Sequence, residues 1–185
     1  MPDGQPNDDN ELVYLFKSNQ DREKVFTLIV KKYQEKLYWQ IRRIVITHED
    51  ADDVLQNVFI KAWNALQNFR EDARLYTWLY RIAVNESLSH LEQQKRKSSI
   101  SFDLVSETME NKLVAEKGFD EQKAMWKLQL AIQQLPEKQR IVFNLRYFEA
   151  MTYEDMSQVL ETSVGALKAS YHHAVKKIEE YIINR

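Results

Sequence analysis

Between Asn7 and Lys117 the sequence contains neither glycine nor proline. Tight turns between strands draw on glycine for positive φ and on proline for a fixed φ. Phosphate-binding loops need several glycines close together. The only breakers are Pro2, Gly4, Pro6, Gly118, Pro136 and Gly165. A sheet-rich fold and a glycine-rich nucleotide loop are therefore excluded over most of the chain. An all-α fold is expected before any periodicity is read.

Apolar spacing then divides the chain. Leu12, Leu15 and Phe16 share a face between Glu11 and Lys17. From Asp21 to Thr47, Val25, Phe26, Ile29, Tyr33, Leu37, Ile41 and Ile44 recur at steps of three and four, which predicts a long helix. The acidic start Thr47-His48-Glu49-Asp50 opens another, with Ala51, Val54, Leu55, Val58, Phe59, Ala62, Trp63 and Leu66 as its stripe. A polar break at 67–72 precedes a helix from about Ala73 to Leu91, followed by the basic cluster Lys95-Arg96-Lys97.

From Ser98 to Glu121 the chain is Ser/Glu-rich and poor in large apolar residues, so it reads as an acidic linker. A second helical block covers Glu121 to Gln134, then a helix opened by Pro136 at its first position, then Thr152 to Leu160 and Ser163 to Ile183. The expected organisation is a disordered leader (1–10), a helical domain (11–97), a flexible linker (98–121) and a second small helical domain (122–185).

The chain has no cysteine, which removes disulfides, thiolate metal sites and thiol nucleophiles. No apolar run spans a bilayer, and the start Met1-Pro2-Asp3-Gly4 is not that of a signal peptide. A cytoplasmic protein without membrane insertion is expected. His48-Glu49 would need a second histidine at position 52 to resemble a zinc-hydrolase helix, and Asp52 stands there. No metal, cofactor or catalytic constellation is expected, and the chain is not read as an enzyme. The formal net charge of −2 argues against binding nucleic acid by bulk charge alone.

Three faces remain once the apolar stripes are assigned to cores. The segment Thr152–Leu160, the break Glu161-Thr162-Ser163 and a longer helix have helix-turn-helix spacing. The outer face of that last helix carries Lys168, Ser170, His172, His173, Lys176 and Lys177, donors and cations suited to phosphates and major-groove base edges. A solvated face of an ordinary helical hairpin fits the same spacing. Opposite the stripe of the third helix lie Asp53, Gln56, Asn57, Ile60 and Asn64, a polar row with one apolar member, as a docking face has. Trp78, Arg81, Asn85 and Ser89 align on the fourth helix. Aromatic rings among cations serve unpaired bases, which is the preferred reading of Trp78; a tryptophan held only in the core is the alternative.

The stretches EDADDVLQNVFIKAWNALQNF from Glu49, TWLYRIAVNESLSHL from Thr77 and LPEKQRIVFNLRYFEAMTYEDMSQVLETSVGALKASYHHAVKKI from Leu135 resemble regions 2 and 4 of RNA polymerase sigma factors. The chain resembles the extracytoplasmic-function (ECF) group of the sigma-70 family. The resemblance implies a transcription initiation factor. Asp52, Asp53, Gln56, Asn57 and Ile60 would meet the clamp helices of the largest subunit of core RNA polymerase. Phe69, Arg70, Trp78, Arg81 and Asn85 would melt and read the −10 element of promoter DNA, with a flipped base held near the loop. Lys168, Ser170, His172, His173, Lys176 and Lys177 would read the −35 element.

Contact with the polymerase flap region and restraint by an anti-sigma factor are implied as well. The sequence departs from the family at Ala169, Ser170, His173 and Val175, where arginines are usual, and in the loop 68–73, which lacks the usual glycine. A free-standing helix-turn-helix regulator with a helical sensing or dimerisation domain is the alternative.

Overall fold

The computed structural model describes residues 8–19, 21–97 and 120–183, with the side chains of 97 and 120–126 left aside. The fold is all-α. Its helices are α1 (Asp9–Lys17), α2 (Arg22–Val45), α3 (His48–Ala65), a 3-10 turn (Leu66–Asn68), α4 (Leu75–Lys97), α5 (Asp120–Gln133), α6 (Glu137–Tyr147), α7 (Tyr153–Leu160) and α8 (Val164–Ile183). By contacts the chain forms two compact units, one of Met1–Leu91 with Glu154–Thr162, the other of Glu92–Tyr153 with Ser163–Arg185. The acidic linker and most of the leader lie outside the described residues.

In the first unit, α2 packs against α3 and α1 packs against α2. The i, i+4 apolar row of α2 is buried at Val25, Ile29, Tyr33, Leu37, Ile41 and Ile44. The facing row of α3 contains Ala51, Val54, Val58 and Ala62, all buried. Two alanines in that row leave little side-chain bulk between the helices, which favours close ridge-into-groove packing. Ile46 takes φ 78° to reverse the chain. Thr47 then caps α3, its Oγ1 accepting from the Asp50 backbone N–H at 3.1 Å. That bond satisfies one of the donors a helix start leaves open.

Two devices fix α1. Phe16 is fully buried, edge-on to Trp63 at 5.3 Å and tilted against Phe26 at 6.0 Å. At the other end, the Tyr33 hydroxyl donates to the Asp9 carboxylate at 2.6 Å, and Lys32 pairs with the same group at 2.8 Å. Burial first, and then the Asp9 carboxylate, push the Tyr33 hydroxyl well above its ordinary pKa.

In the second unit α8 packs on α5 and α6. Their shared core holds Ala131, Ile132, Leu135, Phe143, Ala174 and Ile178, with Tyr171 and Phe148 at its margin. Phe143 stacks on both Tyr147 (5.1 Å) and Tyr171 (5.8 Å). Pro136 is the residue before α6 rather than its first: ψ 142° keeps it extended, and Glu137 starts the helix. The fourth helix runs past Leu91 to Lys97. It meets no glycine or proline on the way, and cations suit the negative end of its dipole.

Candidate nucleic-acid and protein interfaces

The burial of Ala51, Val54, Val58 and Ala62 turns the opposite side of α3 outward. Asp52, Asp53, Gln56 and Asn57 are exposed there, and Ile60 is 53% exposed. All five candidates share this outward side because they fall between buried positions at helical spacing. An isoleucine with half its surface in water, beside two carboxylates and two amides, has apolar area still to bury and polar groups to fix orientation. That is the make-up of a protein-docking patch.

The second face is built from the loop after the 3-10 turn and from α4. Arg70 is exposed, and Asn85 is exposed further along α4. Trp78 and Arg81 are half-buried. Phe69 is only 5% exposed, so its ring supports the loop from beneath. It lies tilted against Trp78 with ring centroids 5.0 Å apart. Within the same unit Arg81 Nε donates to the Gln158 carbonyl at 2.9 Å, and its guanidinium lies 3.4 Å from Glu161. Glu71 takes φ 61°, a left-handed conformation that glycine adopts without steric cost.

Sequence reasoning missed the groups that hold this face. Lys17 Nζ donates to the Phe69 carbonyl at 2.6 Å and to Glu71 Oε1 at 2.5 Å. His90 on α4 meets Asp50 on α3 at 2.8 Å. Both links join residues tens of positions apart, and no local spacing encodes them. A shallow cleft of about 350 Å³ opens beside the loop, with Asn10 and Val13 of α1 opposite Phe69, Asp72 and Arg74.

The third face is the outer side of α8. Lys168, His172, His173, Lys176 and Lys177 are exposed and Ser170 is half-buried, while Leu167, Ala174 and Ile178 are buried. The Lys168 ammonium sits 5.6 Å from the Tyr153 ring centroid, and the Arg146 guanidinium 5.1 Å from the same ring. Lys176 has Glu180 at 4.0 Å as an i, i+4 neighbour. His172 and His173 have ring centroids 5.9 Å apart. Adjacent helical positions diverge by about 100°, so the two do not converge on one ion. Among the described residues no group of three or more metal-ligating side chains gathers. Nor is any described helix long and apolar enough to cross a membrane.

Comparison with known proteins decides the family. Sigma-70 region 2 matches residues 29–97, and sigma-70 region 4 matches residues 125–178. The RNA polymerase sigma-H factor of Pseudomonas aeruginosa is 37% identical over 166 residues, covering 85% of this chain and 86% of that protein. The ECF RNA polymerase sigma-E factor of Haemophilus influenzae is 33% identical, over 88% of this chain and 90% of that protein. The chain belongs to the sigma-70 family, in its ECF group. It is a transcription initiation factor that directs RNA polymerase to promoters.

Solved sigma-factor structures share its fold. CnrH in complex with the cytosolic domain of CnrY has a TM-score of 0.69 at 21% identity, covering 95% of this chain and 97% of that one. RpoE of Bartonella quintana with the anti-sigma factor NepR has a TM-score of 0.67 at 20% identity, covering 86% of this chain and 97% of that one. Helix α1 lies before residue 29, where the match to region 2 begins.

Proposed function

We propose that this sigma factor divides its work among the three faces. Asp52, Asp53, Gln56, Asn57 and Ile60 dock on the clamp helices of core RNA polymerase. Arg70, Trp78, Arg81 and Asn85 open and read the −10 element, with Phe69 as the support beneath the loop. Lys168, Ser170, His172, His173, Lys176 and Lys177 read the −35 element in the major groove, and the same domain reaches the polymerase flap. The segment 11–97 acts as the melting domain and 122–185 as the −35 domain, with the linker 98–121 between them.

The reach suffices. The two elements stand about 25 base pairs apart, or about 85 Å at about 3.4 Å per pair. A linker of this length extends to about 80 Å, and domain radii of about 13 Å add to that. The protein works in the cytoplasm and catalyses no reaction of its own. An anti-sigma factor restrains it, a reading supported by the solved sigma factor RpoE, captured with the anti-sigma factor NepR.

The observation that carries this reading is the face of α4. An exposed amide (Asn85) shares it with a half-buried tryptophan packed on the loop and with an arginine. A regulator that reads only duplex DNA has no use for a ring poised to stack on unpaired bases. The test is run-off transcription on a randomised promoter pool with and without core polymerase. Specific transcripts are expected only when both are present. Trp78→Ala and Asn85→Ala should slow promoter opening and leave core affinity unchanged. Tight, sequence-specific duplex binding by the free chain, indifferent to core, would instead identify a free-standing regulator.

A further inference from the structure

Lys17, the last residue of α1, makes more contacts to the −10 loop than a surface lysine needs for solubility. Its ammonium holds the Phe69 carbonyl at 2.6 Å and the Glu71 carboxylate at 2.5 Å, and lies 5.9 Å from the Phe69 ring centroid. The α1 backbone joins in, with Gln67 Nε2 donating to the Lys17 carbonyl at 3.3 Å. One cation therefore fixes two residues of the loop, 52 and 54 positions away in sequence.

The two tethered residues are those whose conformation the loop depends on. Glu71 is in the left-handed region at φ 61°. Side-chain-bearing residues stay there only when their surroundings hold them, and this loop contains no glycine. Lys17 also draws the Glu71 carboxylate back toward α1. Asp72, at 4.0 Å, is then the carboxylate that stays beside Arg70, so a second one there would further weaken its pull on phosphates. Phe69 carries the constraint further, because its ring supports Trp78 at 5.0 Å.

We propose that Lys17 is a positioning residue for promoter recognition, holding the loop 68–74 in the one conformation that discriminates bases of the −10 element. The proposal rests on the assignment of this loop and α4 to the −10 element. Lys17 touches no base itself. Without it Glu71 leaves the left-handed region, the loop samples several conformations, and discrimination falls while opening activity on permissive sequences persists.

The test uses holoenzyme reconstituted from core polymerase and the full chain. Promoters recovered from a randomised pool by the wild-type holoenzyme are rebuilt with each base at every −10 position. Opening rates are read by fluorescence of 2-aminopurine placed in the melted segment. Lys17→Met keeps the aliphatic stem and removes the charge, and Lys17→Arg keeps the charge. The expected result is a loss of at least fivefold in the ratio of best to second-best base for Lys17→Met. Core affinity and melting temperature stay unchanged, and the ratio recovers in Lys17→Arg.

A ratio within twofold of wild type overturns the proposal. So does a slowing that is uniform over all bases, which marks a merely structural lysine. Arg70→Ala and Trp78→Ala, run in parallel, separate the two levels. If they alter −10 preference and Lys17→Met does not, only the role of Lys17 fails. If neither alters it, the assignment of the loop fails and takes this proposal with it.

Discussion

Ile60→Ala tests the proposed docking face of α3 with little disturbance elsewhere. The change removes three carbons beyond Cβ, each worth about 0.8 kcal/mol when withdrawn from water. Ile60 is 53% exposed in the free chain. About half of that transfer free energy is therefore still to be gained on docking, or about 1.3 kcal/mol, close to a ninefold change in affinity. Folding should barely respond, since alanine is the better helix former by a few tenths of a kcal/mol. The assay is displacement of fluorescently labelled wild-type chain from core polymerase by unlabelled variant, with a circular-dichroism melt beside it. A rise in Kd of roughly five- to tenfold with an unchanged melt is expected. A shift under twofold would mean that Ile60 stays in water in the holoenzyme, and that the α3 face is not the clamp contact.

Three further outcomes follow from the packing and charge. Phe16→Ala, at a fully buried ring between Phe26 and Trp63, should cost about 3–5 kcal/mol in urea unfolding. A cost below about 1 kcal/mol would show that α1 is not docked. For Tyr33, the folded state keeps a proton that the unfolded chain sheds near pH 10. Its contribution is full below that pH and is lost above it, by up to about 1.4 kcal/mol per pH unit. The stability gap between wild type and Tyr33→Phe should therefore narrow from pH 9.5 to 11, and a constant gap would refute the shift. Finally, Lys176→Ala with Lys177→Ala should make the slope of log affinity against log salt shallower by about 1 to 2 for holoenzyme on promoter DNA. An unchanged slope would place both lysines away from phosphates.

The pale net charge gains a meaning from these faces. The acidic row of α3 and the acidic linker offset the cations of α8. A subunit that takes part of its DNA affinity from the polymerase gains effective concentration at each element through the others. It needs no large positive charge of its own, and without one it is held less on random DNA.

Helix content, helix order and the outward faces of α3 and α8 were legible in the sequence. They follow from period and composition, which are local: a buried row at steps of three and four leaves its opposite row exposed whatever the helix packs against. Ile60 could be named as exposed for that reason alone. The packing of the loop 68–74 was not local. Phe69 was placed among the DNA contacts by its position in the loop, yet tertiary packing against Trp78 buries it. Lys17, at the end of a short helix, gave no sign that it would hold a carbonyl and a carboxylate more than fifty positions away.

The stretch without glycine or proline determined that the chain must be helical. It also meant that its tight reversals fall on side-chain-bearing residues. Which contacts hold those reversals in left-handed geometry, as Lys17 holds Glu71, was settled only when the helices packed. Backbone strain is a property of one residue, but what offsets it is a neighbour in space.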